Sequence, residues 1–375
     1  MSVDTDPGRR SPDDARARVV VAGTGAWGTT MAAMLAAREP VALLARRPDK
    51  AERLQREREN AENLPGVRLP DAVTVTADPA VVRDADLLVF AVPSAHVRAT
   101  AERLAPLIPA TADILSLVKG LENGTLLRMS QVIAEAAAMP TSRVAALSGP
   151  NLATEIARGL PASAVVAAED PDLAKRIQAR LGARSFRVYV NSDIVGVELC
   201  GSLKNIIAIA AGAADGLGFG DNGKAGIVTR GLAEMIRLGL AAGANPLTFS
   251  GLAGIGDMIA TCGSGLSRNH RLGEELAAGR RWTEIELTLH GVAEGAYTVR
   301  AALALAERLG VEMPIAREVE KALFEGKSVQ RCLIDLLSRE SKDELADLPP
   351  WLDRAGTNPA EARTSGAELR SRATR

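Results

Sequence analysis

One lysine in this chain stands where its surroundings would change its chemistry. The stretch ELCGSLKNIIAIAAGAA, residues 198–214, is almost wholly apolar or small, lacks proline and carries Lys204 near its middle. Its pattern predicts a helix over 193–214, and helical spacing sets Cys200, Gly201, Ile207 and Ala208 beside Lys204. Three of those four are small, so the helix would hold an ammonium in a shallow notch. An ammonium removed from water is costly unless paired, and burial lowers its pKa. The functional reading is a proton donor; the plain alternative is a side chain that snorkels to solvent or forms a structural ion pair.

A second constellation is built from glycine. Gly23, Gly25 and Gly28 fall in G-x-G-x-x-G spacing, directly after the apolar run at 18–22 and before an alanine- and methionine-rich stretch at 29–38. In that setting Gly23 makes a tight turn, Gly25 lets backbone approach a pyrophosphate, and Gly28 lets helix pack on strand. The helix N-terminus then faces the phosphate charge. A dinucleotide site is therefore expected. At the end of the second strand, where a carboxylate would hold the ribose 2′-hydroxyl of NAD, the chain has Arg46-Arg47 and no acid until Asp49. Two guanidiniums suit a 2′-phosphate, which predicts NADP(H) preferred over NAD(H). Otherwise both are solvated surface charges.

Four further clusters could converge on Lys204. Lys119 ends the strand-like run at 113–118, at the sheet edge where open α/β folds bind ligands. Gly149 and Asn151 lie in SGPNLA, which follows another strand and starts a helix. GLAGIGD, residues 251–257, is a glycine-rich turn ending in Asp257, a carboxylate partner for the lysine or a simple helix cap. Ser267, Arg268 and Asn269 put a hydroxyl, a guanidinium and an amide at one helix N-terminus, a good receptor for a phosphate. Ser267 is equally a good N-cap residue.

The elements that must position these groups follow from periodicity. Strands are predicted at 18–22, 41–45, 73–76, 86–92, 113–118, 143–147, 163–168 and 186–190, with helices between at 97–107, 126–138 and 172–181. That alternation means an α/β domain with a mostly parallel sheet and helices on both faces. After about residue 192 the strand signal ends, and 193–214, 224–243, 267–278, 294–310 and 315–325 read as helices. The expected domains are a polar tail at 1–17, a dinucleotide-binding domain at 18–192, an all-α substrate domain at 193–338 and a polar tail at 339–375.

Composition narrows the class. The chain has 375 residues and a net charge of −1, which excludes nucleic acid or an anionic membrane as the main partner. Cys200, Cys262 and Cys332 form no CxxC pair, which fits a reducing cytoplasm. His96, His270 and His290 have no metal-ligand spacing, and no metal is expected. No stable membrane insertion is expected either: residues 1–18 lack an apolar core, and the best apolar run is interrupted by Asp215.

Taken together, GTGAWGT, LVKGLE, SGPNLATEIARGLP, the long lysine helix running into GAADGLGFGDNGKAGIVTRG, GLAGIGD, LSRNHRLG and VAEG resemble bacterial NAD(P)-dependent glycerol-3-phosphate dehydrogenase, over residues 18–337. The resemblance implies a Rossmann-type first domain and a reaction between dihydroxyacetone phosphate and sn-glycerol 3-phosphate, supplying phospholipid synthesis, and often a homodimer. Position by position, it implies cofactor contacts at Ala26, Trp27, Arg46, Lys119, Ala153, Arg268, Val292 and Glu294. It implies substrate contacts at Lys119, Gly149, Asn151, Asp257, Ser267, Arg268 and Asn269, with Lys204 as proton donor and acceptor. Asn151 stands where the family usually has Ser or Thr, and CGSG at 262–265 replaces a more usual CTSP. The competing reading is a two-domain NADP-dependent hydroxy-acid or sugar-acid reductase with the same lysine helix.

Overall fold

The computed structural model describes residues 18–289 and 291–340. The tail expected at 1–17, all but the start of that at 339–375, and His290 lie outside them. The strands are β1 Val19–Ala22, β2 Val41–Leu44, β3 Glu59–Asn60, β4 Leu64–Arg68, β5 Val73–Thr76, β6 Leu87–Phe90, β7 Asp113–Ser116, β8 Val144–Ser148, β9 Ala162–Ala167 and β10 Phe186–Asn191. The helices among them are α1 Ala26–Leu35, α2 Pro48–Glu57, α3 Val97–Leu104, α4 Met129–Ala136, α5 Ala153–Ala157 and α6 Pro171–Leu181. Beyond the last strand come α7 Ile194–Gly216, α8 Gly220–Ala241, α9 Pro246–Phe249, α10 Asp257–Gly263, α11 Arg268–Ala277, α12 Trp282–Thr288, α13 Glu294–Leu309, α14 Pro314–Phe324 and α15 Val329–Leu337.

The main sheet has the order β10-β9-β8-β7-β6-β1-β2-β5, and every pair is parallel except β8 with β9. Side chains of β1 alternate between faces: Val19 and Val21 join one apolar layer, Val20 and Ala22 the other. Both faces are covered, which is why these strands read as unbroken apolar runs. Parallel pairing also sends the segments after β1, β2, β6, β7 and β8 to one edge of the sheet. Those segments carry Gly23, Arg46, Ser94, Lys119 and Gly149.

Helix α7 is the axis of the second half. Its residues are buried almost throughout, including Lys204, and α8, α10, α11, α13 and α14 pack around it. It also lies on β8, where Ala146 joins its apolar cluster. By length and composition α7 could cross a bilayer, so the expected interruption at Asp215 does not make the run too short. Here 94% of its most apolar window is buried by protein, and its charges are paired internally.

Several elements were not foreseen. The β3–β4 ribbon is polar and carries Asn, Pro and Gly, so it has no strand signal. α2 and α12 have too few apolar positions to stand out, and α15, though largely apolar, is short and runs straight into the polar tail. α8 begins at Gly220, before the expected 224, because exposed glycines opening a helix look like a loop.

Candidate functional site

The groups singled out above meet at the carboxyl edge of the sheet. Asp257 is delivered by a π-type turn at Leu252–Gly256, so that its carboxylate enters the protein as the first residue of α10. Such turns are rare and recur at functional sites. The turn needs glycine: a Cβ at Gly254 would lie 2.0 Å from the Phe249 carbonyl oxygen. Asp257 is 1% exposed and accepts from two lysines, Lys204 Nζ on Oδ1 at 2.8 Å and Lys119 Nζ on Oδ2 at 2.5 Å. Lys119 also donates to the Gly149 carbonyl at 3.1 Å. Thr261, one turn along α10, bonds both Lys204 Nζ and, at 3.1 Å, Asp257 Oδ1.

Two ammoniums thus share one carboxylate, leaving a net positive cluster. Burial is the main reason the Lys204 pKa falls to about 8; Asp257 opposes the fall and Lys119 adds to it. Burial alone would raise Asp257, but the charges and hydrogen bonds of Lys119 and Lys204 outweigh it and hold the carboxyl below its usual range. A lysine poised this way exchanges a proton near neutral pH.

Ser267, Arg268 and Asn269 stand together at the start of α11, and one of the three is already engaged. Ser267 is the N-cap of α11, its Oγ accepting from His270 N at 3.2 Å, and Arg268 opens the helix. Arg268 is accessible yet walled by protein, with Nη1 so close to Gly291 that a Cβ there would sit 2.4 Å away. Burial pulls its pKa down while Glu294 pulls it up. Asn269 is already engaged: Nδ2 donates to Asn205 Oδ1 at 3.0 Å and Oδ1 accepts from Gly295 N at 2.9 Å, tying α7, α11 and α13 together. One Nδ2 hydrogen remains for a ligand. Asn151 donates to the Ser163 carbonyl at 3.1 Å, while its Oδ1, like Ser148 Oγ, is buried with no partner among the described residues. A polar ligand beside the cationic cluster would give both atoms a partner.

On the dinucleotide side, Gly23 has φ +125° and a Cβ there would lie 2.5 Å from the Ala91 carbonyl oxygen; at Gly28 it would lie 2.1 Å from that of Gly23. Gly25 is different, since a Cβ there would meet nothing within 4 Å. Open space at the start of α1, which has no side-chain cap, fits a pyrophosphate. Ala26 and Trp27 form that first turn, and Trp27 packs on Phe186 with centroids 6.4 Å apart. Ala153, opening α5, accepts from Thr30 Oγ1 at 3.2 Å. Arg47 is bound to Asp49, whereas Arg46 makes no such contact among the described residues. Val292 is half-buried just before α13. Glu294, at the start of α13, accepts from Ser94 N at 3.1 Å and from Ser94 Oγ, and burial raises its pKa.

Sequence reasoning did not single out Thr261, Asn205 or Ser94. Thr261 lies four residues after Asp257, a helical spacing legible only once 257–263 is known to be helix. Ser94 reaches Glu294 across 200 positions and leaves no local signal.

Fold and site together define a dinucleotide-binding α/β protein with an appended helical half built on a buried lysine helix. The sequence profile described as NAD-dependent glycerol-3-phosphate dehydrogenase N-terminus matches residues 18–174, and that described as its C-terminus matches 193–334. The glycerol-3-phosphate dehydrogenase [NAD(P)+] of Prosthecochloris aestuarii is 48% identical over 330 residues, 87% of this chain and 99% of that one. That of Corynebacterium kroppenstedtii is 49% identical over 329 residues, covering 87% and 99%. The crystal structure of glycerol-3-phosphate dehydrogenase from Coxiella burnetii superposes with a TM-score of 0.83 at 36% identity, covering 87% of this chain and all of that one. The chain belongs to the NAD-dependent glycerol-3-phosphate dehydrogenase family.

Proposed function

We propose that this chain interconverts dihydroxyacetone phosphate and sn-glycerol 3-phosphate with NAD(P)H, preferring NADP(H), and that it supplies glycerol 3-phosphate for phospholipid synthesis. Family membership supports the reaction over that of a hydroxy-acid or sugar-acid reductase. The observation that carries the reading is the buried Lys204 ammonium, braced by Asp257 and Thr261, with Lys119 on the same carboxylate.

The nicotinamide dinucleotide, when bound, supplies the hydride. The open face of Gly25 and the first turn of α1, with Ala26 and Trp27, would hold its pyrophosphate. Ala153, Val292 and Glu294 border it. Arg46 would meet the 2′-phosphate, and its freedom from ion pairs supports that role better than Arg47's bond to Asp49 does. On the substrate side, Lys204 gives its proton to the carbonyl oxygen of the ketone as charge builds there, a step worth about 10²–10⁴-fold. Lys119 stabilises the same charge. Asp257 and Thr261 aim the ammonium. Ser267, Arg268 and the remaining Asn269 hydrogen grip the phosphate, with Gly149 and Asn151 bordering the rest of the molecule. Binding energy from that remote phosphate serves the reacting carbon. A boundary between cofactor and substrate domains near residue 192 goes with this division of labour, and the end of the last strand at Asn191 supports it. Cys200, Cys262 and Cys332 are free and buried, which supports work in the cytoplasm.

The test is to follow NADPH absorbance with dihydroxyacetone phosphate and, separately, with unphosphorylated dihydroxyacetone. Rapid oxidation with the first alone is expected. Equal rates with both would refute the phosphate grip, and no oxidation with either would refute the function.

A further inference from the structure

The polar ribbon of β3 and β4 brings a fully buried amide to the back of the glycine loop. Asn60 is 0% exposed. Its Nδ2 donates to the Thr24 carbonyl at 3.0 Å and to Thr29 Oγ1 at 2.8 Å. Its Oδ1 accepts from Asn63 Nδ2 at 3.3 Å. The amide orientation is forced, because a carbonyl oxygen can only accept, so the nitrogen must face Thr24. Every polar atom of the side chain is then used. Thr24 is the residue between Gly23 and Gly25, and Thr29 lies in the first turns of α1.

We infer that Asn60 is a positioning residue for dinucleotide binding: it fixes the Thr24 peptide from behind, so that the open face at Gly25 and the α1 N-terminus are preformed. This rests on the dinucleotide-site reading of the 23–28 loop. The loop contains three glycines within six residues, and glycine-rich backbone has the most conformational freedom to lose on ordering. A loop already held in place loses less freedom when the ligand arrives, and such preorganisation strengthens binding. Asn60 is well placed to do this, since it stands outside the loop, on a ribbon inserted between α2 and β5, and reaches back across 36 positions.

The test uses the full chain with Asn60→Ala and the near-isosteric Asn60→Leu, with Thr29→Val as comparison. Fluorescence titration with NADPH, without substrate, gives the dissociation constant. Loss of the brace is expected to raise it about tenfold in both Asn60 variants, and by less in Thr29→Val, which keeps the Thr24 bond. Hydrogen exchange at the 23–28 amides of the ligand-free protein is expected to quicken. The KM for dihydroxyacetone phosphate and kcat at saturating NADPH stay within twofold. An unchanged NADPH dissociation constant in Asn60→Leu would overturn the inference. So would a joint fall in kcat and rise in both KM values, the mark of general structural damage. Because the titration needs no turnover, it stands apart from the proposed reaction: a chain that binds NADPH but does not oxidise it fails the function and still reports on Asn60.

Discussion

Lys204 illustrates how one side chain's behaviour is set by everything around it. With its pKa near 8, ketone reduction at saturating substrate should slow as pH rises through that value, because the amine form has no proton to give. The reverse oxidation should quicken over the same range, since it needs the amine as acceptor. Asp257 opposes the fall in the lysine's pKa, so Asp257→Asn should move the falling limb to lower pH, alongside a loss of rate. A pH–kcat profile of both proteins in both directions checks this; a limb that stays in place would remove Asp257 from the proton's control. The two neighbouring arginines also separate at this scale. Arg46→Asp should cut the ratio of NADPH to NADH affinity by at least about tenfold, the scale of a charge-assisted contact, whereas Arg47→Asp should leave it within twofold. Comparing dissociation constants for the two dinucleotides decides between them. From the sequence both arginines were expected to serve a 2′-phosphate. Their unequal standing was not, because the Arg47–Asp49 bond depends on the backbone turn into α2.

At the scale of elements, α11 and the lysine helix α7 are held together by glycines. A Cβ at Gly212 of α7 would lie 1.9 Å from the His270 carbonyl oxygen, and one at Gly273 of α11 would lie 2.0 Å from that of Ile209. Backbone therefore rests on backbone, and the distance between Lys204 and the 267–269 receptor is set by the absence of side chains. Gly212→Ala must push α11 outward. The expected cost is about 1–3 kcal/mol of stability, together with a raised KM for dihydroxyacetone phosphate and unchanged NADPH affinity. Thermal melts and steady-state kinetics measure both; an unaltered KM would show that the helix spacing does not tune the site. The main-sheet strands and α7 were readable because burial on every side leaves unbroken apolar runs, and the other long helices because burial of one face leaves an apolar stripe. The β3–β4 ribbon was not, since it is held by Asn60 and neighbouring turns rather than by an apolar face. The residues beside Lys204 and its carboxylate partner Asp257 were both named from the sequence; the π-type turn that delivers Asp257 was not, since it has no periodic signature.

Over the whole molecule, the site exists because two packed halves present their groups to each other. One bond between them is buried: Glu198 of α7 accepts from Ser130 N at 2.8 Å and Ser130 Oγ at 2.6 Å, and pairs with Arg128 just before α4. Removing one partner leaves the other charge buried and unpaired, so Glu198→Ala should cost about 3–5 kcal/mol in chemical denaturation. A cost below about 1 kcal/mol would mean that Arg128 relaxes into water. This pairing, like Ser94 with Glu294 and Lys119 with Asp257, joins residues 70 to 200 positions apart. The sequence named many of the participants by local motif, but only the folded chain decides who meets whom. The claim on which the rest depends is that the Lys204 ammonium delivers the proton to the ketone. Its most direct test is single-turnover oxidation of prebound NADPH by dihydroxyacetone phosphate in the unsubstituted chain and in Lys204→Ala. The expected result is a rate constant lower by about 10²–10⁴-fold in the variant, with its NADPH dissociation constant unchanged; a rate within tenfold of the unsubstituted chain would contradict it.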